Sequence, residues 1–194
     1  MSAPFDRPSS GVPIVVVQAH PYPDRSRANR ALSEAIKGLP GLDVRPLYDL
    51  YPDFSIDVAA EQRAVEAAAV VVWQHPIYWY TAPALLKLWF EKVLTAGWAY
   101  GPDGVALRGK RCLWVVTTGG AELDYTPAGV HQHVFDVFAA VVRQTAQFCG
   151  MTWLEPLVVH GAPALDEAEL RICGRRYRAY LMTLLREQGL QLDA

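Results

Sequence analysis

The sequence predicts an α/β protein in three layers, a parallel sheet with helices packed on both of its faces. Three observations carry that expectation. Short apolar runs rich in β-branched and aromatic residues recur at 13–17, 42–47, 70–73, 112–116 and 157–159. The last three are continuous instead of alternating, the pattern of strands covered on both faces. Helical periodicities fill the intervals, and strands alternating with helices form right-handed crossovers that place helices on either side of a parallel sheet.

Each element has its own signals. Pro13-Ile14-Val15-Val16-Val17 is the first strand, after a Pro-, Ser- and Gly-containing leader over 1–12 that reads as flexible. Ser26 is the expected N-cap of a helix carrying Ala31, Leu32, Ala35 and Ile36, stopped by Gly38, Pro40 and Gly41. A shorter helix follows Asp57. A third begins near Pro83, a first-turn position that tolerates proline, and carries Leu85, Leu88, Trp89 and Val93 to Gly97. Thr126-Pro127 is expected to open a fourth, in which Val130, Val134, Val137, Phe138, Val141, Thr145 and Phe148 repeat at three- and four-residue spacing before Gly150. A fifth covers about 166–188.

Size and charge narrow the class. A chain of 194 residues buries enough surface for one full core, so a single domain over 13–194 is expected. With 18 Lys+Arg against 20 Asp+Glu and no dense Lys/Arg cluster, nucleic acid is not an expected partner. There is no apolar stretch of spanning length and no signal-peptide pattern, which points to the cytoplasm. The odd number of cysteines, Cys112, Cys149 and Cys173 with no C-x-x-C pair, suggests reduced thiols and no structural metal.

Polar residues gather at the predicted strand ends. Ligands of open α/β sheets bind beyond the carboxyl ends of the strands, where strand order reverses. His20 follows the first run, His75 the third and His160 the fifth, while the fourth runs into Thr117-Thr118-Gly119-Gly120. The segment from Gln18 to Asn29 leads into a helix whose free N–H groups and dipole favour an anion, with Ser26, Arg27 and Asn29 adding donors. A capped helix with solvated polar residues fits that segment equally well. His75-Pro76-Ile77-Tyr78-Trp79-Tyr80 places three aromatics in a loop expected to be exposed, which suits either a planar cofactor or a partner chain. The two glycines of 117–120 would let a flat ligand approach the backbone, though a tight turn also explains them. Tyr125 and His131 pair a phenol with an imidazole that could donate or relay a proton, or simply pack. His131 and His133 diverge on a helix and make no metal pair.

Several motifs together are specific. Ala19-His20-Pro21, Leu47-Tyr48-Asp49-Leu50-Tyr51-Pro52-Asp53-Phe54, Trp73-Gln74-His75-Pro76, Leu86-Lys87-Leu88-Trp89, Gly97-Trp98-Ala99-Tyr100-Gly101 and Thr117-Thr118-Gly119-Gly120 resemble the NAD(P)H:quinone oxidoreductase family. Within it they are most similar to the ancillary flavoproteins of glutathione-gated potassium/proton antiporters, over about 14–157. The resemblance implies a flavodoxin-like fold with five parallel strands in the order 2-1-3-4-5 and a bound FMN, or FAD. His20, Ser26, Arg27, Ala28 and Asn29 would hold the flavin phosphate. Pro76, Ile77, Tyr78 and Trp79 would run along the ring with backbone N–H groups near its redox-active edge, and Thr117, Thr118, Gly119 and Gly120 would line its other side. Tyr125 and His131 would stabilise charge on the reduced ring and protonate a quinone oxygen. The segment 122–133 looks more like free-standing quinone reductases than antiporter ancillary proteins.

The expected function is therefore two-electron reduction of a quinone, or another flat aromatic acceptor, by NADPH or NADH through the flavin, with ping-pong kinetics in a cytoplasmic homodimer. Two alternatives stay open. One is a regulatory subunit that activates a potassium/proton antiporter at the inner face of the cell membrane; the other is a nitro- or azo-compound reductase.

Overall fold

β1 (Ile14–Gln18) pairs in parallel with β2 (Leu42–Pro46) on one side and β3 (Val70–Pro76) on the other. β3 pairs with β4 (Arg111–Thr117), and the far edge of β4 is shared by two short parallel strands, β5 (Thr152–Trp153) and β6 (Leu157–Val159). The sheet of this computed structural model, which describes residues 13–190, thus runs 2-1-3-4-5 with β6 added beside β4. The leader expected over 1–12 lies outside the described residues. Six strands replace the expected five because the last position is split. The Leu154 N–H still bonds the Cys112 carbonyl at 2.9 Å, but Pro156 has no N–H to continue the ladder.

Side chains alternate across a strand, so each continuous apolar run feeds two cores. Ile14, Val16, Val70, Val72, Leu113 and Val115 pack under α1 (Arg27–Ile36) and α6 (Glu167–Glu187). Val15, Val17, Val71, Trp73, Cys112, Trp114 and Val116 pack under α3 (Val58–Ala67), α4 (Ala84–Val93) and α5 (Asp136–Phe148). Each large aliphatic side chain fully buried this way is worth roughly 1.5–3 kcal/mol. α1 and α6 cross closely at Gly174, where an added Cβ would lie 2.9 Å from the Ala35 Cβ and 3.2 Å from the Ala31 carbonyl oxygen. A short helix, α2 (Leu47–Leu50), follows β2 directly.

The caps follow the sequence. Ser26 accepts from the Asn29 N–H, Asp57 from the Ala60 N–H, and Asp166 forms a capping box with Glu169. Three expectations are corrected. α5 begins at Asp136, ten residues beyond Thr126. The Thr126 hydroxyl instead donates to the Leu123 carbonyl at 3.0 Å, and Gln132 takes a left-handed φ of 57°, so a folded loop occupies 126–135. Val130 and Val134 mimic the helical repeat while lying on the exposed surface. The third strand also continues past Trp73, because Gln74, His75 and Pro76 pair with Val115, Val116 and Thr117. His75 is therefore inside β3 and not beyond its end. Pro83 caps α4 instead of occupying its first turn.

Glu61, on α3, has no exposed surface. Its Oε1 accepts from Arg45 Nε and Nη2 at 2.8 and 2.7 Å and from the Tyr51 hydroxyl at 2.6 Å. Its Oε2 accepts from Trp89 Nε1 at 2.9 Å. This knot ties β2, the turn after α2, α3 and α4 together.

Candidate active site

β1, β3, β4 and β6 end at one edge of the sheet, and a cleft of about 450 Å³ opens there. From the β1–α1 connection it takes His20, Arg25, Ser26, Arg27 and Ala28; from the end of β3, Pro76, Ile77 and Tyr78. Thr117, Thr118 and Gly119 come from the end of β4, and Ala162 and Pro163 follow β6. The position is the switch point between β1, whose next strand lies on one side, and β3 on the other. The volume falls within the roughly 300–1,000 Å³ usual for small-molecule and cofactor sites.

The α1 end of the cleft is built for an anion. Ser26 uses its side chain to bond the Asn29 N–H, which leaves the earlier first-turn N–H groups of Arg27 and Ala28 toward the cleft lining. His20 Nδ1 accepts from the Tyr22 N–H at 3.0 Å, so the neutral ring carries its proton on Nε2 and is a further donor. Burial lowers its pKa, which favours that neutral form. Asn29 is not in the lining. It is buried behind it, and its Nδ2 bonds the Thr117 hydroxyl at 2.9 Å, clamping α1 to the end of β4.

The opposite wall is backbone. Ile77 N–H donates to the Thr117 carbonyl at 2.8 Å, and the Tyr78 and Thr81 N–H groups each bond the other's carbonyl at 3.0 Å. Two of the ring-edge amides expected at 76–79 are thus engaged within the protein, and Pro76 has none. Trp79 and Tyr80 take positive φ values of 48° and 63°, the signature of a type I′ turn without glycine, and Trp79 is 92% exposed at its tip. Gly119 faces open space: a Cβ there would meet no atom within 4 Å. A flat group can therefore come close to its backbone. Gly120 is turned away, its added Cβ lying 3.0 Å from His131 Nε2 and from Asp124 Oδ2.

Tyr125 and His131 stand behind Gly120, outside the cleft lining. Their rings are 4.3 Å apart, centroid to centroid, and Tyr80 and Phe138 close the cluster with Tyr80 stacked on Phe138 at 5.1 Å. Tyr125 is buried, which pushes its phenol pKa up. The Nδ1 atom of His131 is buried without a hydrogen-bond partner. His75 is fully buried and lies under the site. Its Nε2 accepts from Trp114 Nε1 at 2.7 Å, so its Nδ1–H faces the Pro76 carbonyl at 2.9 Å. Burial pushes its pKa down to about 4, and it stays neutral.

Three lining residues were not expected from sequence: Arg25, Ala162 and Pro163. Arg25 sits in a single 3-10 turn ahead of the N-cap, where no periodicity marks it. Ala162 is placed by its N–H bond to the Thr118 carbonyl at 2.9 Å, a long-range pairing without a local signature.

A doubly wound sheet with a helix start of free N–H groups and a glycine-lined wall at its carboxyl edge defines a flavodoxin-type α/β protein. Residues 13–181 match the family model described as "Flavodoxin-like fold", and the chain belongs to that family. It is 47% identical over 169 residues to the "Glutathione-regulated potassium-efflux system ancillary protein KefF" of Enterobacter sp. (strain 638), a match covering 87% of this chain and 95% of that one. Among solved structures it resembles general stress protein 14 of Treponema denticola in complex with FMN. That pair has a TM-score of 0.83 and 35% identity over 89% of this chain and 99% of the other. An NADPH-quinone reductase from P. pentosaceus gives a TM-score of 0.79 and 26% identity over 87% and 96%.

Proposed function

We propose that the protein is an NAD(P)H-dependent quinone oxidoreductase that works through FMN held in the carboxyl-edge cleft. The observation that carries this reading is the cleft itself, with an anion-suited α1 start at one end and the open Gly119 backbone along its wall. These residues fit the phosphate and the flat ring of a flavin. The FMN complex and the NADPH-quinone reductase among the structural relatives support the same choice. A bound flavin supplies two-electron hydride chemistry.

The chain's own groups would act as follows. Arg27 and Ala28 N–H groups, Ser26 and the His20 Nε2–H hold the phosphate, with Arg25 adding charge at the mouth. Thr118 and Gly119 keep the ring against the sheet edge. Trp79, at the tip of its turn, shields the open face when a flat acceptor enters. Tyr125 and His131 hold a proton next to the acceptor oxygen. Nucleotide and quinone occupy one face in turn, which gives ping-pong kinetics. A homodimer would cover the apolar outer face of α5, where Val141 and Phe148 are 64% and 63% exposed.

A second reading rests on the identity with the potassium-efflux ancillary protein. In it the same flavoprotein binds and activates an antiporter at the membrane. No helix among the described residues is long and apolar enough to cross a bilayer, so this role would be peripheral. The deciding experiment is an absorption spectrum of the purified protein followed by anaerobic NADPH or NADH and then a benzoquinone. Flavin bands that bleach with nucleotide and return with quinone support the enzyme. Bands that do not bleach with either nucleotide favour the regulatory subunit.

A further inference from the structure

The cluster around Tyr125 holds one histidine that the proposed chemistry does not use. His160 follows β6, and its ring lies 5.2 Å from that of Tyr125 and 5.0 Å edge-on to Phe135. Its Nδ1 is 3.2 Å from Thr118 Oγ1. The Thr118 hydroxyl has one proton, and it is given to the Gly120 carbonyl at 2.7 Å. Only His160 can supply the proton for the 3.2 Å contact, so neutral His160 is the Nδ1–H tautomer and its Nε2 is bare. The chain of bonds runs from His160 Nδ1–H to Thr118 Oγ1–H to the Gly120 carbonyl, which also accepts the Gly161 N–H at 2.7 Å.

Two links of that chain meet the site: Thr118 lines the cleft, and a Cβ on Gly120 would lie 3.0 Å from His131 Nε2. Tyr125 therefore has an imidazole beside it twice, His131 at 4.3 Å and His160 at 5.2 Å. The two differ in their bonding. His131 leaves its buried Nδ1 unpartnered, whereas His160 spends its one proton on a scaffold hydroxyl.

We propose that His160 is the positioning residue of the Tyr125–His131 pair. Its Nδ1–H fixes Thr118 and, through it, the Gly119–Gly120 backbone, while its ring fixes the plane of Tyr125. The role deepens the flavin-reductase reading of the cleft and rests on it. Burial disfavours the charged form of His160, opposed by Glu122 nearby. The other ionisable neighbours of the pair are Asp124 and Tyr80, which both act on Tyr125. Protonation of His160 adds charge at its bare Nε2 and leaves the bond to Thr118 in place.

Two variants separate the geometry from the charge. In His160→Asn the side-chain amide stands where Nδ1–H stood and cannot titrate; in His160→Leu both features are lost. In full-length protein before FMN is added, 15N spectra of the imidazoles should show His160 as the Nδ1–H tautomer. The Gly120 and Gly161 amide signals should follow its titration in wild type, keep their positions without titrating in His160→Asn, and move in His160→Leu. With FMN and nucleotide present, His160→Leu should slow reoxidation by quinone about tenfold, with reduction by NAD(P)H within about twofold. His160→Asn should recover that rate and lose one inflection of its pH profile. An Nε2–H tautomer, or a His160→Leu protein with unmoved glycine signals and full reoxidation, overturns the proposal. If His160→Leu does not fold, the tautomer and the Asn variant still decide it. A wild-type protein that takes up no flavin would sink the reductase reading, and the tautomer and glycine signals would then show separately whether His160 holds this backbone.

Discussion

Two regions of this molecule bury polar groups, and they do so in opposite ways. Around Glu61 every polar atom is matched: both carboxylate oxygens accept, and Arg45, Tyr51 and Trp89 all donate to them. Tyr51 is pushed up to about 12, first by burial and then by its bond to Glu61, so it stays a protonated donor. At the carboxyl edge of the sheet the matching is incomplete. Asn29 Oδ1 and His131 Nδ1 are buried without partners, two helix N–H groups face a cleft, and Gly119 borders empty space. Buried polar atoms left single cost roughly 1–3 kcal/mol each, a cost that persists where another molecule completes the set. The first region reads as structure and the second as a site.

The contrast breaks most visibly at Glu61. Glu61→Ala leaves Arg45 Nε and Nη2 and two further donors without their acceptor, with Asp43 at 3.5 Å from Nη1 the remaining carboxylate, and should destabilise the fold by about 3–5 kcal/mol. Urea unfolding would show this, and a loss below about 1 kcal/mol would mean the knot is not structural. Next comes His75, whose folded pKa lies below the ordinary 6.5. The folded state binds fewer protons there, so its contribution is complete above about pH 6.5 and is lost as pH falls toward about 4. The loss should approach 1.4 kcal/mol per pH unit in that window. Unfolding midpoints at pH 7, 6 and 5 check the slope, which His75→Leu should flatten.

At the site the effects should fall on chemistry instead of stability. His131→Gln should slow quinone reduction about a hundredfold while flavin stays bound and the unfolding midpoint holds. Stopped-flow reoxidation measures it, and an unchanged rate removes His131 from the mechanism. Gly119→Ala is the mildest: the new Cβ meets nothing in the protein, so stability should hold within about 0.5 kcal/mol. Flavin affinity should nevertheless drop about tenfold, as read by fluorescence quenching. Equal affinity would place the ring elsewhere.

Much of this is legible in the sequence. The continuous apolar runs gave the strands because parallel strands covered on both faces carry no polar alternation, and Ser26, Asp57 and Asp166 marked helix starts through a chemistry local to each cap. Long-range pairing was not legible. β5 is two residues long and exists only because Thr152 and Trp153 meet Arg111 and Cys112. β3 keeps its polar end buried because β4 runs beside it to Thr117. The start of α5 is not legible either, because an exposed apolar face, at Val130 and Val134, has the same spacing as a buried one. At the site, motif resemblance located ten of the cleft residues, while Asn29 proved to be a clamp behind the wall and Trp79 and Gly120 lie off the lining.

The most direct test of the central claim is a titration of flavin-free, 15N-labelled protein with FMN, followed residue by residue. The account predicts that the amide signals of Arg27, Ala28, Thr118, Gly119 and Ala162 move together and saturate, while those of Arg45 and Glu61 stay still. A response centred instead on the apolar groove of about 260 Å³ between α4 and α5, near Tyr100 and Phe148, or no response at all, would contradict it.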